Sequence, residues 1–173
     1  MIRSYPYEST LRIVLGCLLT VILAGWGPTR VQGAEILDDS LSPQKQYSFQ
    51  FKWAHRNTSA DLSQEEFFLI TSTLAGVEVR LNATAYEGKS ARIYLRLPRQ
   101  IEGYISTERF LLSWKTNRLF YQGSVRPGNK TLLYDGVINT PVMVEVFTFS
   151  LEADARYLDG KIRYAPIYEI ETY

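Results

Sequence analysis

The sequence predicts one all-β, antiparallel domain that follows an N-terminal segment of a different character. Two observations predict the domain: apolar and polar residues alternate with period two along much of the chain, and turn residues recur at nearly regular intervals. We expect a β-sandwich, Ig-like or jelly-roll-like, of about 8–10 strands. A closed antiparallel β-barrel is the alternative, because it requires the same alternation.

The first 33 residues are typical of a secretory signal peptide. Arg3 and Arg12 supply positive charge, and residues 13–24 form an apolar run without a charge. This run is long enough for a signal peptide and too short to cross a bilayer, which disfavours the alternative of a short membrane anchor. We therefore predict cleavage before Ala34 and a periplasmic or secreted protein that does not stay inserted in a membrane.

Composition restricts the partners and the chemistry of the chain. Its 173 residues include 19 basic and 18 acidic side chains, and the formal net charge of +1 is not that of a polybasic nucleic-acid binder. The single cysteine, Cys17, lies in the predicted signal peptide. A chain that begins at Ala34 therefore has no thiol and no disulfide, but it is long enough to bury a core without them.

The predicted mature chain divides into a lead-in and a domain. Residues 34–46 are mostly polar, and we expect a flexible lead-in there. Residues 47–173 form the predicted single β-domain. Its first strand is indicated by apolar residues at every second position: Tyr47, Phe49, Phe51 and Trp53.

The next predicted strands lie between residues 67 and 97. Residues 63–66 match a helix capping box, but the β-branched residues that follow favour a strand over a helix at 67–74. The alternation then continues over 77–83 and, after a glycine-containing turn, over 93–97. Strands are therefore predicted over these three stretches.

A hairpin is predicted around residues 117–118. If these two residues form the loop, Trp114 lies opposite Tyr121 and Phe110 lies opposite Val125, so that all four apolar side chains share one face. Further along, Pro127–Gly128 predicts a turn with positive φ at the glycine. Residues 135–136 (Asp-Gly) are compatible with a hairpin turn or with a bulge inside one longer strand.

The last predicted hairpin turns at Asp159–Gly160, a preferred two-residue loop. Its register brings five apolar pairs to one face: Phe149 with Ile170, Leu151 with Tyr168, Ala153 with Pro166, Ala155 with Tyr164, and Tyr157 with Ile162. The same register places Arg163 diagonal to Asp154 as a cross-strand ion pair. Upstream, the apolar parity changes near Val146, which predicts a bulge or a strand that moves between sheets.

The residues support little catalytic chemistry. His55 is the only histidine and lies in a polar loop, so a catalytic triad or a zinc site has no second partner. Carboxylate pairs that could serve a glycosidase are Glu65 with Glu66, Asp154 with Asp159, and Glu169 with Glu171. Such pairs are also common on solvated strands, and we therefore predict no enzyme, no catalytic residue, no metal and no cofactor.

Three aromatic residues are the candidate binding-surface residues: Trp53, Trp114 and Tyr121. Aromatic side chains in a row on a sheet could stack against sugars, but both tryptophans are in phase with Phe and Leu, which favours the core. Three Asn-x-Ser/Thr patterns, at Asn57, Asn82 and Asn129, are glycosylation sites only in a eukaryotic host. The sequence does not identify the host.

The functional prediction is an exported, non-catalytic binding or assembly module. A protein partner could add a strand to an exposed edge or to the extended lead-in. The alternatives are a β-barrel carrier of a small apolar ligand and a carbohydrate-binding or carbohydrate-active sandwich. The oligomeric state is left open.

Overall fold

The computed structural model describes residues 33–43, 49–54, 66–163 and 165–173. These residues contain nine strands: β1 Glu35–Ile36, β2 Lys52–Trp53, β3 Leu69–Asn82, β4 Ser90–Arg96, β5 Phe110–Lys115, β6 Gly123–Val125, β7 Lys130–Val137, β8 Val142–Asp154 and β9 Ile167–Thr172. The predicted signal peptide up to residue 32, the first two residues of the predicted strand at 47–53, and His55, Asn57, Glu65 and Tyr164 lie outside the described residues.

The strands form two antiparallel sheets, which confirms the predicted all-β sandwich. One sheet has the order β1-β9-β4-β7, and the other has the order β2-β3-β8-β5-β6. The sheets are not closed into a barrel. Alternation explains the packing: in β4, Ala91, Ile93 and Leu95 are fully buried, whereas the residues between them face outward.

The strand preferred over a helix at residues 67–74 is confirmed from Leu69 onward, since β3 begins there after a short 3-10 helix at Glu66–Phe68. β3 and β8 form the longest strand pair, and its register shifts between Leu74 and Val77. Gly76 has φ +73°, a conformation that favours glycine, and it lies in this bulge. The bulge changes the parity of β3, so that Ile70 and Ser72 before it and Val77, Val79 and Leu81 after it are all buried.

The predicted parity change near Val146 is wrong. Odd-numbered residues of β8 are buried throughout, including Met143, Glu145 and Phe147. Val144 and Val146 are 48% and 43% exposed on the outer face. Apolar character alone suggested that these valines point inward, whereas the buried set at this end of β8 includes a glutamate.

The predicted Asp159–Gly160 hairpin does not form. β8 pairs with β3 and β5, whereas β9 pairs with β1 and β4 in the other sheet. The apolar faces of β8 and β9 both line the core, so both strands show the alternation that suggested direct pairing. The segment that connects β8 to β9 makes another contact instead: the Asp159 N–H donates to the Gly103 carbonyl at 3.0 Å.

The ion pair predicted across that hairpin is also replaced. Asp154 is 1% exposed and pairs with Arg156 at 2.6 Å, two residues along the chain. Arg163 lies instead beside Glu102, with 3.2 Å between Nε and Oε1. Both differences follow from the separation of β8 and β9 into different sheets.

The predicted register of the β5–β6 pair is shifted by two residues. Leu112 pairs with Val125 and Trp114 pairs with Gly123, so the connecting loop spans residues 116–122 and is longer than a two-residue turn. Gly123 suits its position opposite Trp114, because a Cβ there would lie 3.1 Å from the indole ring. The inner-face parity survives the shift, since a change of two residues keeps side chains on the same face.

The two turn predictions further along are confirmed in part. Gly128 has φ +83°, and the Asn129 N–H donates to the Arg126 carbonyl at 3.1 Å, as expected for the predicted turn. Residues 135–136 lie inside β7, so the hairpin alternative is wrong and the single longer strand is correct. The bulge of that strand is opposite Ile93 and Tyr94 instead.

Candidate functional site

Glu169 and Glu171, one of the carboxylate pairs considered for catalysis, belong to an ion-pair network on the outer face of β9. Glu169 pairs with Arg96, and Glu171 pairs with Lys130, whose Nζ lies 2.7 Å from Oε1. Lys130 also lies 3.5 Å from Glu169 and above the ring of Tyr94. Hydrogen bonding from Lys130 holds the pKa of Glu171 below its usual range. This arrangement is an ordinary charged exterior of a sheet.

No group of three or more histidine, cysteine or acidic side chains within the described residues is arranged to hold a metal ion. Asp154 and Asp159, the second carboxylate pair, differ in their exposure to solvent. Asp154 is buried against Arg156, and hydrogen bonds from that arginine hold its pKa below the usual range despite burial. Asp159 is exposed.

The three candidate aromatic residues do not form a common surface. Trp114 is 2% exposed and belongs to the core, and its indole N–H donates to the Tyr121 carbonyl at 2.8 Å. Trp53, predicted to be in the core, is 54% exposed in β2, an edge strand of its sheet. Tyr121 is 52% exposed and precedes β6, the opposite edge of the same sheet.

The interior between the sheets is closely filled in its described part. An apolar cavity lined by Phe49, Leu97, Phe110, Leu151 and Ile162 has a volume of about 10 Å³. That is approximately the space of one water molecule. A carrier of a small apolar ligand needs a cavity many times larger.

Tyr121 lies in a loop that is held from inside the sandwich. The loop, residues 116–122, passes over Glu145, whose side chain is 4% exposed and faces inward from β8. Glu145 Oε2 accepts backbone hydrogen bonds from Arg118 at 3.1 Å, Leu119 at 2.6 Å and Phe120 at 3.4 Å. Three successive N–H groups converging on one oxygen form an anion-binding concavity, and this carboxylate fills it.

Phe120 and Tyr121 attach the loop to the sandwich by packing and by a backbone hydrogen bond. Phe120 is 5% exposed and packs against Phe147, with 5.9 Å between ring centroids. The Tyr121 N–H donates to the Leu133 carbonyl at 2.7 Å, which links the loop to β7 in the other sheet. The side chains of Arg118 and Leu119 remain exposed. We call residues 116–122 with Glu145 the carboxylate-held loop.

The hydrogen bonds of this arrangement favour the charged form of Glu145. Burial by itself raises the pKa of a carboxyl group, but backbone N–H donors from Leu119, Val146, Arg118 and Phe120 favour the anion. The net result is a pKa below the ordinary value. The loop is therefore held by an ionised, buried side chain.

A second surface lies at the edge of the other sheet, where the chain enters the domain. Glu35 and Ile36 form β1 and pair with Ile170 and Glu169 of β9. Leu37, which follows, is 3% exposed in the core, and its N–H donates to the Tyr168 carbonyl at 2.8 Å. Part of the predicted lead-in thus belongs to the sandwich. We call residues 34–38 the strap.

The strap has two further attachments. The Tyr86 hydroxyl donates to the Glu35 carboxylate, and burial together with this hydrogen bond raises the pKa of Tyr86 to about 12. The Asn82 N–H donates to the Asp38 carbonyl at 2.8 Å, which connects the strap to β3. Ile36 is 69% exposed on the outer face.

Two of the glycosylation patterns lie within the described residues. Asn82 ends β3, and its Oδ1 accepts hydrogen bonds from the backbone and the hydroxyl of Thr84, the threonine of its own pattern. Asn129 is exposed at the end of the Arg126–Asn129 turn. Of these two, Asn129 is the more accessible.

Neither Glu145 nor Leu37 was identified as important by the sequence analysis. Glu145 interrupts an apolar run, and the inward parity of Phe147 and Phe149, extended back by two residues, would have placed it inside. Ile36 and Leu37 are the first apolar pair of the polar lead-in, a weak signal for a short edge strand. Both signals depend on knowing which face is inner.

Comparison of the chain with protein-family models, with curated proteins and with solved structures finds no match. Within the described part of the chain, no helix is long and apolar enough to span a membrane.

Proposed function

We propose that this protein is an exported, non-catalytic binding or assembly module that joins a protein partner by strand pairing at the β9 edge. The predicted signal peptide supports export. The observation that carries the proposal is the unequal pairing of β9 with its two neighbours: among the described residues, β4 pairs with all six residues of β9, whereas β1 pairs with two. A partner strand can therefore displace β1 and pair over a longer stretch.

The free energies favour a displaceable β1. Burying one leucine contributes about 1.5–3 kcal/mol, and each backbone hydrogen bond contributes about 0.5–1.5 kcal/mol net. β1 and Leu37 offer one such side chain and a short ladder. A partner strand along the whole of β9 gains more hydrogen bonds, provided that it places an apolar side chain where Leu37 lies.

The chemistry of this partner follows from the edge. The strand must be extended, must carry a leucine-sized residue for the buried position, and must tolerate Glu169 beside it on the outer face. A module of this kind needs no catalytic group, metal or cofactor. Neither the small interior cavity nor the separated aromatic residues favours the carrier or the carbohydrate alternatives.

The test locks β1 in place. In the full chain carrying Cys17→Ser, the pair Ile36→Cys and Glu169→Cys introduces cysteines at directly opposed positions. We expect the wild-type protein to migrate in a larger assembly in extracts of its own host, the oxidised variant to migrate as a monomer, and reduction to restore the assembly.

The matched control is a lock at another edge. β2 is also a two-residue edge strand, and Lys52→Cys with Thr71→Cys would join it to β3. We expect this control to assemble normally. Assembly by the locked Ile36–Glu169 variant, loss of assembly only in the control, or a monomeric wild-type protein would each contradict the proposal.

A further inference from the structure

The β9 edge is already occupied by a segment that fits it, and that segment belongs to this chain. Resting on the proposed function, we propose that the partner strand is the strap of a second copy, exchanged between two molecules. The partner is then identified by its complementarity to the edge.

The strap itself contains the groups that bind the β9 edge. Glu35 and Ile36 supply the ladder, Leu37 supplies the buried side chain, and Asp38 supplies the carbonyl for Asn82. Each of these contacts joins the strap to residues of β3, β9 or the core. A strap from another molecule can therefore make the same contacts without loss.

A turn directly after the strap can act as the hinge. The Ser42 N–H donates to the Asp39 carbonyl at 2.9 Å, and the Ser40 N–H donates to Asp38 Oδ1 at 2.9 Å. Residues 38–41 are exposed. Ser42 is anchored separately, because its hydroxyl accepts from the Arg80 N–H at 2.8 Å.

The length of the opened hinge limits the distance between two molecules that exchange straps. The three residues between the strap and Ser42 extend over about 10 Å when stretched. The β9 edge of the second molecule must therefore lie within about 10 Å of Ser42 of the first molecule. The β9 edge of the first molecule must lie equally close to Ser42 of the second. Two copies therefore exchange straps reciprocally about a two-fold axis, and the contact closes as a dimer.

The balance between closed and exchanged forms depends on concentration. All strap contacts are conserved, so the two forms differ in the hinge and in the cost of bringing two chains together. A short tether holds the strap at an effective concentration of about millimolar. Dilute protein is then closed, and exchange increases where the protein is concentrated or where folding occurs at high local concentration.

The test mixes two single variants in the full chain carrying Cys17→Ser. One carries Ile36→Cys and the other carries Glu169→Cys, positions that face each other only when a strap occupies a β9 edge. After incubation together at about 1 mM, we expect a disulfide-linked dimer of the two variants. Its yield should be several-fold above the control mixture and should decrease on dilution.

The control mixture replaces Ile36→Cys by Ile105→Cys. Ile105 is 70% exposed, matching the 69% of Ile36, but it lies far from β9 in the chain and outside the strap. This mixture measures disulfides that form by random collision. Equal dimer yields in the two mixtures would overturn the inference.

A second measurement needs no cysteine. Deleting Ser40 and Leu41 shortens the hinge, so the strap reaches its own β9 edge less well and favours that of another molecule. We expect the dimer fraction in light scattering to increase several-fold over the wild-type protein. An unchanged monomer would overturn strap exchange.

The two proposals can fail separately. If the Ile36–Glu169 lock abolishes the assembly in the host but the mixed single variants give no dimer above the control, the β9 edge binds a different chain. The proposed function then stands and strap exchange is wrong. If a lock whose disulfide lies within one chain on non-reducing gels leaves the assembly intact, both proposals are wrong, whereas a disulfide between two chains is the exchanged strap itself.

Discussion

The carboxylate-held loop and the strap are both irregular segments tied to the sandwich, but they are tied by different physics. The loop directs three backbone N–H groups at Glu145, and within the described part of the chain no second acceptor replaces that carboxylate. The strap depends on a two-residue ladder, one leucine and two hydrogen bonds, from Tyr86 to Glu35 and from Asn82 to Asp38. Such contacts can be supplied equally well by another copy. A buried polar anchor therefore makes a segment permanent, whereas an edge strand with one apolar anchor remains exchangeable.

The largest effect is expected for removal of the loop anchor. Glu145→Ala removes the acceptor of three backbone N–H groups, of which that of Phe120 is buried and those of Arg118 and Leu119 are partly buried, and we expect a loss of about 3 kcal/mol in the free energy of unfolding. Urea denaturation measures it. Glu145→Gln keeps one acceptor oxygen and should lose less. Equal stability of Glu145→Ala and the wild-type protein would show that the loop is not held by this side chain.

A smaller effect is expected for the strap anchor. Leu37→Ala should destabilise by about 1–2 kcal/mol, because detachment of the strap limits the loss to the free energy with which it docks. The control is Leu112→Ala, a leucine 1% exposed in β5, which should cost about 2–5 kcal/mol. Equal losses at both positions would mean that the strap is as permanent as a central strand.

The pH dependence of stability should distinguish the two anchors further. The pKa of Glu145 is below its ordinary value of 4.5 in the folded protein, so the anion stabilises the fold above that pH. The stabilisation is lost as pH falls through the folded-state pKa. We expect the stability difference between the wild-type protein and Glu145→Gln to be constant near neutral pH and to shrink as the pH falls below 4.5.

Leu37→Ala is the control for that titration. The carboxylates of Asp38, Asp135, Asp154 and Glu171 also have lowered pKa values, and the Glu145→Gln variant retains them. Asp38 lies in the strap, but its pKa is lowered by hydrogen bonds from Ser40, two residues along the chain, which do not involve Leu37. The difference between Leu37→Ala and the wild-type protein should therefore stay nearly constant over the same range. A constant difference for Glu145→Gln as well would contradict an ionised anchor.

The smallest effect is expected at the exposed side of the loop. Tyr121 contributes its backbone to the loop and leaves its side chain 52% exposed, so Tyr121→Ala should change stability by less than about 0.5 kcal/mol. Its neighbour Phe120 is 5% exposed, and Phe120→Ala should cost about 3–5 kcal/mol. Thermal unfolding of the two variants gives this contrast directly.

Local regularities were predicted well from the sequence. In β4 the alternation of apolar and polar residues identifies the strand and its inner face, and Pro127–Gly128 identifies its turn. The predictions were wrong where the sequence had to indicate which strands are neighbours and in which register they pair. The apolar face of β9 fitted β8 in register, but β9 pairs with β1 and β4, and the β5–β6 pair is shifted by two residues.

The candidate surfaces were predicted less well for the same reason. Tyr121 is exposed, as a binding residue must be, but Trp114 is in the core and Trp53 lies at the other edge of the sheet. Glu145 was overlooked because a glutamate within an apolar strand is ordinarily assigned to the outer face. Only the convergence of the loop N–H groups makes its burial favourable.

The sequence by itself determined that the chain is all-β and antiparallel, which residues of most strands face inward, and where the turns at Gly88 and Gly128 lie. These properties depend on backbone sterics and on the two-residue period of a strand, both of which are local. The tertiary structure alone decided which strands are neighbours, that Glu145 is inside, and that Leu37 joins the core. Those outcomes depend on filling one common interior and satisfying its buried polar groups, and residues far apart in the chain determine them together.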